Sequence, residues 1–276
     1  MKIAVPKEKW ADEARISVSP DSVKKFIAMG FDVAVESGAG DPASISDLAL
    51  SEAGAQIAQN AAEAIGEADI VLRVQRPMPP TDGWKDEILM MKSGSILIGN
   101  LAALSNPEQV ELYAKQSLTS FAMELLPRIS RAQSMDVLSS QSNLAGYKAV
   151  LDAAHEYSRA FPMMMTAAGT VPPAKVLVLG AGVAGLQAIA TARRLGAVVS
   201  AYDVRPVVKE QVESLGGRFV EVELDSAENA ETAGGYAKEM TDEYKARQAE
   251  TLKEALIRAD IVICTALIPD RPAPVL

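Results

Sequence analysis

The chain has 276 residues, of which 49% are hydrophobic and 5% aromatic, and it carries a formal net charge of −9. That length suits two ordinary domains with aliphatic cores, and a negative balance without a basic cluster excludes nucleic acid or an anionic lipid surface as a partner. The single cysteine, Cys264, excludes an internal disulfide and predicts a reducing compartment; within the apolar run Ile261-Val262-Ile263-Cys264 it reads as a buried, inert thiol.

The N-terminus is a short strand, Ile3-Ala4-Val5, with charges behind it rather than a signal peptide, and no stretch reaches the length of a bilayer span, so a cytoplasmic chain is expected. From residue 1 to 141 apolar runs at 3–5, 32–36, 70–74, 95–98 and 118–122 alternate with helical stretches, the pattern of a parallel sheet with helices on its faces. The first helix is well marked: Ser19 caps it, Pro20 takes the first turn, Val23, Phe26 and Ile27 form its apolar stripe, and Gly30 ends it. The Pro-rich segment 76–83 reads as a surface loop. A helix over 142–160 places Leu144, Tyr147, Leu151, Ala154 and Ser158 on one face and joins the first domain to a second over 142–276. His155, the only histidine, lies one residue off that stripe with no second His or Cys nearby, which favours a structural role over a metal site. Met163-Met164-Met165 is expected to fill gaps between packed surfaces.

The second domain opens on the most telling feature of the chain. The run Val176-Leu177-Val178-Leu179 feeds Gly180-Ala181-Gly182-Val183-Ala184-Gly185, a G-x-G-x-x-G turn that starts a helix. Gly180 permits the turn, Gly182 lets backbone approach a pyrophosphate, and Gly185 lets the helix pack on the strand, with its N-terminal N–H groups aimed at phosphate. The helix stops near Gly196, a second run Val198–Tyr202 follows, and Asp203 ends it. An acid there accepts hydrogen bonds from the adenosine ribose and repels the extra phosphate of NADP, so NAD is the expected cofactor. Arg205, two residues on, is the one feature able to pair with that phosphate. A helix over 209–215 and strands at 218–222 and 261–265 follow, short of the about six strands of a complete doubly wound sheet. The expected fold is therefore α/β, two Rossmann-like domains with parallel sheets, the second a doubly wound dinucleotide domain truncated at its C-terminus. The polar stretch 225–252, with Gly234-Gly235 beside Tyr236, reads as a lid, or as a solvated helix with a frayed start.

The segment Met123 to Gln141, together with Met163 to Pro173, the glycine turn, Glu231 to Met240 and Thr265 to Pro269, resembles the NAD(H)-binding domain of proton-translocating nicotinamide nucleotide transhydrogenases, a likeness running from Met1 to Leu276. That family shares ancestry with alanine dehydrogenase, and Val5-Pro6-Lys7-Glu8 with Arg15 is common to both. The resemblance implies that Arg128, Asp136 and Ser139 orient the nicotinamide, that Gln133 reaches toward the second nucleotide and that Tyr236 closes the lid. It also implies cofactor contacts from Ile129, Ser130 and Arg131, and adenosine and ribose contacts from Val183, Val204, Arg205, Gly235, Gln248 and Leu267.

An alanine dehydrogenase needs a Lys and a His near its nicotinamide to move a proton and hold a carboxylate, and the matching positions here are Gln75 and Asn100. Neither titrates usefully. Hydride passing between two nicotinamides releases no proton at the reacting carbons, so their loss is tolerable for transhydrogenation. The resemblance thus implies a subunit that holds NADH for hydride transfer to NADP on a partner domain, in a homodimer docked through a membrane subunit at the cytoplasmic face. The alternatives are an alanine-dehydrogenase-like oxidoreductase and a non-catalytic, truncated NAD-binding or assembly fragment.

Overall fold

The computed structural model describes residues 1–79, 86–127, 129–222, 242–266 and 273, with backbone alone for 242–244. Two compact units divide the chain, Met1–Asp136 and Val137–Leu276.

In the first unit, β1 (Lys2–Val5), α1 (Pro20–Ala28), β2 (Asp32–Glu36), α2 (Asp47–Glu52), β3 (Gln56–Ala58), α3 (Ala61–Ile65), β4 (Ile70–Gln75), α4 (Glu87–Met90), β5 (Ile96–Asn100), α5 (Pro107–Lys115) and β6 (Thr119–Ala122) alternate along the chain. The strands form one parallel sheet in the order β3-β2-β1-β4-β5-β6, the doubly wound arrangement. Ile3, Ala4 and Val5 are all buried, as expected of a central strand covered on both faces. Helix α1 starts as its sequence dictates: Ser22 N–H donates to Ser19 Oγ at 3.2 Å, Ser19 N–H donates to Ser22 Oγ at 2.8 Å, and Gly30 takes φ +87° beyond the last turn. Strand β3 has no counterpart among the apolar runs, because three residues beginning on an exposed Gln56 are too short to show a period.

This sheet also buries charge. The Arg73 guanidinium, 0% exposed on β4, lies between the Glu87 and Glu8 carboxylates, and Lys9 Nζ meets Glu87 Oε1 at 2.7 Å. Glu8 further accepts Val74 N–H at 2.7 Å. Burial raises the Glu8 carboxyl above its ordinary value against the opposing pull of Arg73.

The second unit contains α6 (Val137–Glu156), β7 (Met164–Thr166), β8 (Gly169–Val171), β9 (Lys175–Leu179), α7 (Val183–Arg194), β10 (Val198–Tyr202), α8 (Lys209–Ser214), β11 (Arg218–Phe219), α9 (Asp242–Arg258) and β12 (Ile261–Cys264). Its parallel sheet runs β11-β10-β9-β12, while β7 and β8 pair antiparallel as a separate ribbon. Both units are thus Rossmann-like α/β layers with parallel sheets.

Several expectations change. The linking helix begins at Val137 rather than 142, since a nucleated helix gains a hydrogen bond with each residue added. Its buried residues are Gly146 and Val150, with Ala149, Ala154 and Tyr157 partly buried, whereas Leu144, Tyr147 and Ser158 are exposed. Gly146 decides which face turns inward: a Cβ there would come 2.0 Å from the Ala184 carbonyl oxygen, so only this face lets α6 approach α7 so closely. Met163, Met164 and Met165 fill no gap within the described residues and are exposed on the ribbon. Cys264 is exposed as well, because β12 has β9 as its single neighbour among the described strands. The second half of the polar stretch 225–252 is helix α9, anchored by Leu252 against Leu177, Leu179 and Tyr202. His155 is exposed, and no metal-binding cluster occurs among the described residues. Nor, among them, is any helix long and apolar enough to cross a membrane.

Candidate functional site

Strands β9 and β12 lie side by side where the chain order reverses, and in doubly wound sheets the crevice beyond the strand C-termini at such a point receives the ligand. Beyond β9 comes the glycine turn. Gly180 has φ +97°, and its N–H donates to the Tyr202 carbonyl at 2.8 Å, fixing the turn against the end of β10. From the end of β12, Thr265 N–H donates to Leu179 O and Thr265 Oγ1 to Gly180 O, each at 2.8 Å.

The other two glycines differ in what they face. A Cβ on Gly185 would stand 1.8 Å from the Gly180 carbonyl oxygen, so the first turn of α7 can pack on the loop only without a side chain. At Gly182 a Cβ would meet nothing within 4 Å among the described residues. Gly182 is also the N-cap of α7 and supplies no side-chain cap to the first N–H groups of the helix. Absence of a side chain where no described protein atom competes, beside uncapped donors at the positive end of a helix, fits the pyrophosphate of a dinucleotide.

Asp203 follows β10 and turns back to this loop. Its Oδ2 accepts Ala181 N–H at 2.8 Å and Arg205 Nη2 at 2.9 Å; its Oδ1 accepts Arg205 N–H and Nε at 2.9 Å each. Burial works to raise this carboxyl, but the hydrogen bonds from Arg205 and Ala181 prevail and hold it below the ordinary carboxylate range. Val183 is exposed at the start of α7, Val204 packs partly against Leu177 and Tyr202, and Gln248 is half-buried on α9.

In the first unit, a 3-10 turn over Ser130–Met135 is pinned by buried Ala132 and displays Ile129, Ser130, Arg131 and Gln133 to solvent. Asp136 closes it, its N–H donating to Gln133 O at 3.3 Å, and is half-buried; Ser139 is half-buried in the first turn of α6. Arg128, Gly235, Tyr236 and Leu267 lie outside the described residues.

Gln75 and Asn100 are cross-strand partners at the ends of β4 and β5. The Gln75 amide donates to Glu13 Oε2 at 2.9 Å, and Glu13 is gripped by Arg15 through Nε at 2.7 Å and Nη2 at 2.6 Å. Those Arg15 hydrogen bonds lead the causes that pull the Glu13 carboxyl down to about 2, so this corner keeps a neutralised ion pair rather than a group that trades protons near neutrality. Glu13 carries no signal in the sequence that would single it out; an acid two residues before an arginine is too common to stand out. A cavity of about 620 Å³ elsewhere in this unit is walled by Ile98, Tyr113, Phe121, Leu126 and Met135 among others, with no charged side chain among its described lining residues.

Comparison with known proteins gives the family. The alanine dehydrogenase/PNT N-terminal domain matches residues 4–145 and the alanine dehydrogenase/PNT C-terminal domain residues 149–276. An NAD(P) transhydrogenase subunit alpha chain of Rhodospirillum rubrum is 61% identical over the whole chain and 72% of its own length; the corresponding chain of Rickettsia prowazekii is 48% identical over the whole chain and 71% of its own. An alanine dehydrogenase from Mycolicibacterium smegmatis is 27% identical over 99% of the chain and 67% of its own length. The crystal structure of a transhydrogenase from Sinorhizobium meliloti superimposes with a TM-score of 0.85 at 50% identity, covering 99% of this chain and 72% of that one. An L-alanine dehydrogenase structure gives 0.77 at 27% identity, covering 100% and 68%. The chain therefore belongs to the alanine dehydrogenase/PNT family, and within it to the NAD(P) transhydrogenase alpha subunits.

Proposed function

We propose that this chain is the NAD(H)-binding subunit of a proton-translocating transhydrogenase. It binds NADH along the Gly180–Gly185 turn, with Asp203, Val204, Arg205, Gln248 and Leu267 around the adenosine and ribose, and presents the nicotinamide for direct hydride transfer to NADP on a partner domain. The observation that carries the nucleotide assignment is the open N-cap at Gly182 beside Asp203, a phosphate cradle and a ribose acceptor within one loop. NADH gives up a hydride and becomes NAD+, the partner's NADP+ becomes NADPH, and no proton is exchanged at the reacting carbons. The chain's own task is positioning. Arg128, Asp136 and Ser139 orient the carboxamide, Gln133 extends toward the second nucleotide, and Gly235 and Tyr236 belong to a segment that covers the site. The pairing of Gln75 with Glu13, in place of a proton-trading group, supports transhydrogenation over amino-acid oxidation.

The partners proposed are an NADP-binding domain, a membrane subunit that couples transfer to protons, and a second copy of this chain, with the assembly at the cytoplasmic face of the membrane. Mixing the purified chain with an isolated NADP-binding domain and following NADPH formation from NADH in stopped flow tests the reading. Rapid transfer supports it. Tight NADH binding without transfer returns the fragment alternative, and NADH formation driven by L-alanine returns the dehydrogenase.

A further inference from the structure

The register of β4 against β5 breaks once. Leu72 pairs with Ile98 and Gln75 with Asn100, so β4 takes three steps where β5 takes two, the count of a β-bulge. Ile98 and Asn100 lie two apart on β5 and share a face, and paired residues face the same way, so the bulge turns Gln75 to the face of Leu72. In a regular strand Gln75 would lie on the face of Arg73 instead, and Val74 would stand opposite Asn100. Glu8, 3% exposed on the loop after β1, gathers the residues of the bulge onto one carboxylate. Its Oε1 accepts Val74 N–H at 2.7 Å, and its Oε2 accepts Gln75 N–H at 3.3 Å and Arg73 Nη2 at 3.1 Å. Glu87 grips the same guanidinium. On β5, Gly99 leaves the room required: a Cβ there would stand 2.8 Å from the Arg73 carbonyl oxygen and 3.1 Å from Arg73 Cβ. Turned to the Leu72 face, the Gln75 amide reaches Glu13, which Arg15 holds.

We propose that Glu8 is a positioning residue: together with Arg73 it holds the bulge in β4, so that the strand presents Gln75, rather than Val74, to the Glu13–Arg15 pair. Its effect on hydride transfer rests on the transhydrogenase reading above, in which Gln75 matches a position beside the nicotinamide. Two backbone N–H groups and a guanidinium converge on this carboxylate, and each is held more firmly by a charged acceptor than by a neutral one. An amide in its place removes the ion pair and adds donors where only an acceptor fits. The pairing of β4 then becomes regular, Val74 moves opposite Asn100, and Gln75 leaves Glu13 for the other face. Glu8 bonds the backbone of Gln75 and not its side chain, so it acts on the amide only through the path of the strand.

The test follows the Gln75 side-chain amide in proton–nitrogen correlation spectra of the full chain, assigned by its loss in Q75A, and the rate of hydride transfer to an isolated NADP-binding domain. E13A gives the position of a released amide. E8Q should move the Gln75 signals to that position and slow transfer by about tenfold to a hundredfold, as for a misplaced group, while the NADH Kd stays within about threefold of wild type. In the Q75A background E8Q should slow transfer no further, as for two residues that act through one contact. A wild-type Gln75 signal in folded E8Q, or an E8Q effect undiminished in Q75A, overturns the proposal. Should E8Q fail to melt cooperatively, G99A decides, because its methyl displaces the Arg73 carbonyl with every charge in place. It too should release the Gln75 amide, and an unmoved signal there overturns the proposal as well. A wild type that transfers no hydride while E8Q still releases Gln75 would sink the transhydrogenase reading and leave the role of Glu8 in the bulge standing.

Discussion

Adding one methyl group at Gly182 separates folding from ligand binding at the glycine turn. Gly182 has φ −76° and ψ −165°, open to any L-residue, and its Cβ would meet no described atom within 4 Å. Fixing the unfolded chain by Gly→Ala at a compatible position gains about 0.4–1 kcal/mol, while Ala is a poorer N-cap than Gly by about 0.5–1 kcal/mol. The two offset, and G182A should melt within about 2–3 °C of wild type. A bound pyrophosphate changes the balance, because the methyl then stands where phosphate must approach the α7 N–H groups. Forcing extra volume into such a contact costs about 1–3 kcal/mol, roughly a 5- to 150-fold rise in the NADH Kd. Thermal unfolding followed by circular dichroism and NADH titration by fluorescence read the two effects on one preparation. An unchanged Kd beside an unchanged melting temperature would refute the phosphate cradle, and a large loss of stability would refute the open space around Gly182.

G185A should do the reverse. Its Cβ would stand 1.8 Å from Gly180 O and 3.0 Å from Thr265 Oγ1, so the loop must shift, lowering stability by about 1–3 kcal/mol in a denaturant titration and NADH affinity with it; a wild-type melting curve would show that α7 does not pack as described. E87Q breaks the pair with Arg73, whose side chain is 0% exposed, and should cost about 3–5 kcal/mol by urea unfolding, whereas a cost below about 1 kcal/mol would mean that water reaches the network. The Glu13 carboxyl, ordinarily at 4.5 and held at about 2 by Arg15, takes up a proton less readily in the folded chain than in the unfolded one. Its contribution is therefore complete above about pH 4.5 and lost as pH falls toward 2. Urea midpoints of wild type and E13Q should converge over that window, and parallel curves would count against the Glu13–Arg15 clamp.

Much of the site could be read from residue order because its logic is local. Gly180, Gly182 and Gly185 lie within one turn, and Asp203 ends the very next strand, so spacing alone brings together the proposed phosphate cradle and ribose acceptor. Spacing could not show the state of that acceptor. Arg205 reads in the sequence as a group able to pair with phosphate, whereas the folded loop closes it onto Asp203. The family motifs likewise supply the types and order of the residues proposed for the nicotinamide end, yet the solvent display of Gln133 depends on Ala132 being the buried residue of a 3-10 turn.

Composition, apolar runs and turn residues determined two α/β units with parallel strands, since each depends on interactions within a strand, a cap or a turn of helix. What lies next to what was decided only by tertiary structure. The doubly wound order with the three-residue strand β3, the face of α6 that Gly146 turns inward, the exposure of the Met163–Met165 run and of Cys264, and the burial of Arg73 between Glu8 and Glu87 all involve partners far apart in the chain. Periodicity records how one element alternates between apolar and polar, but it carries no information about which neighbour comes to cover it.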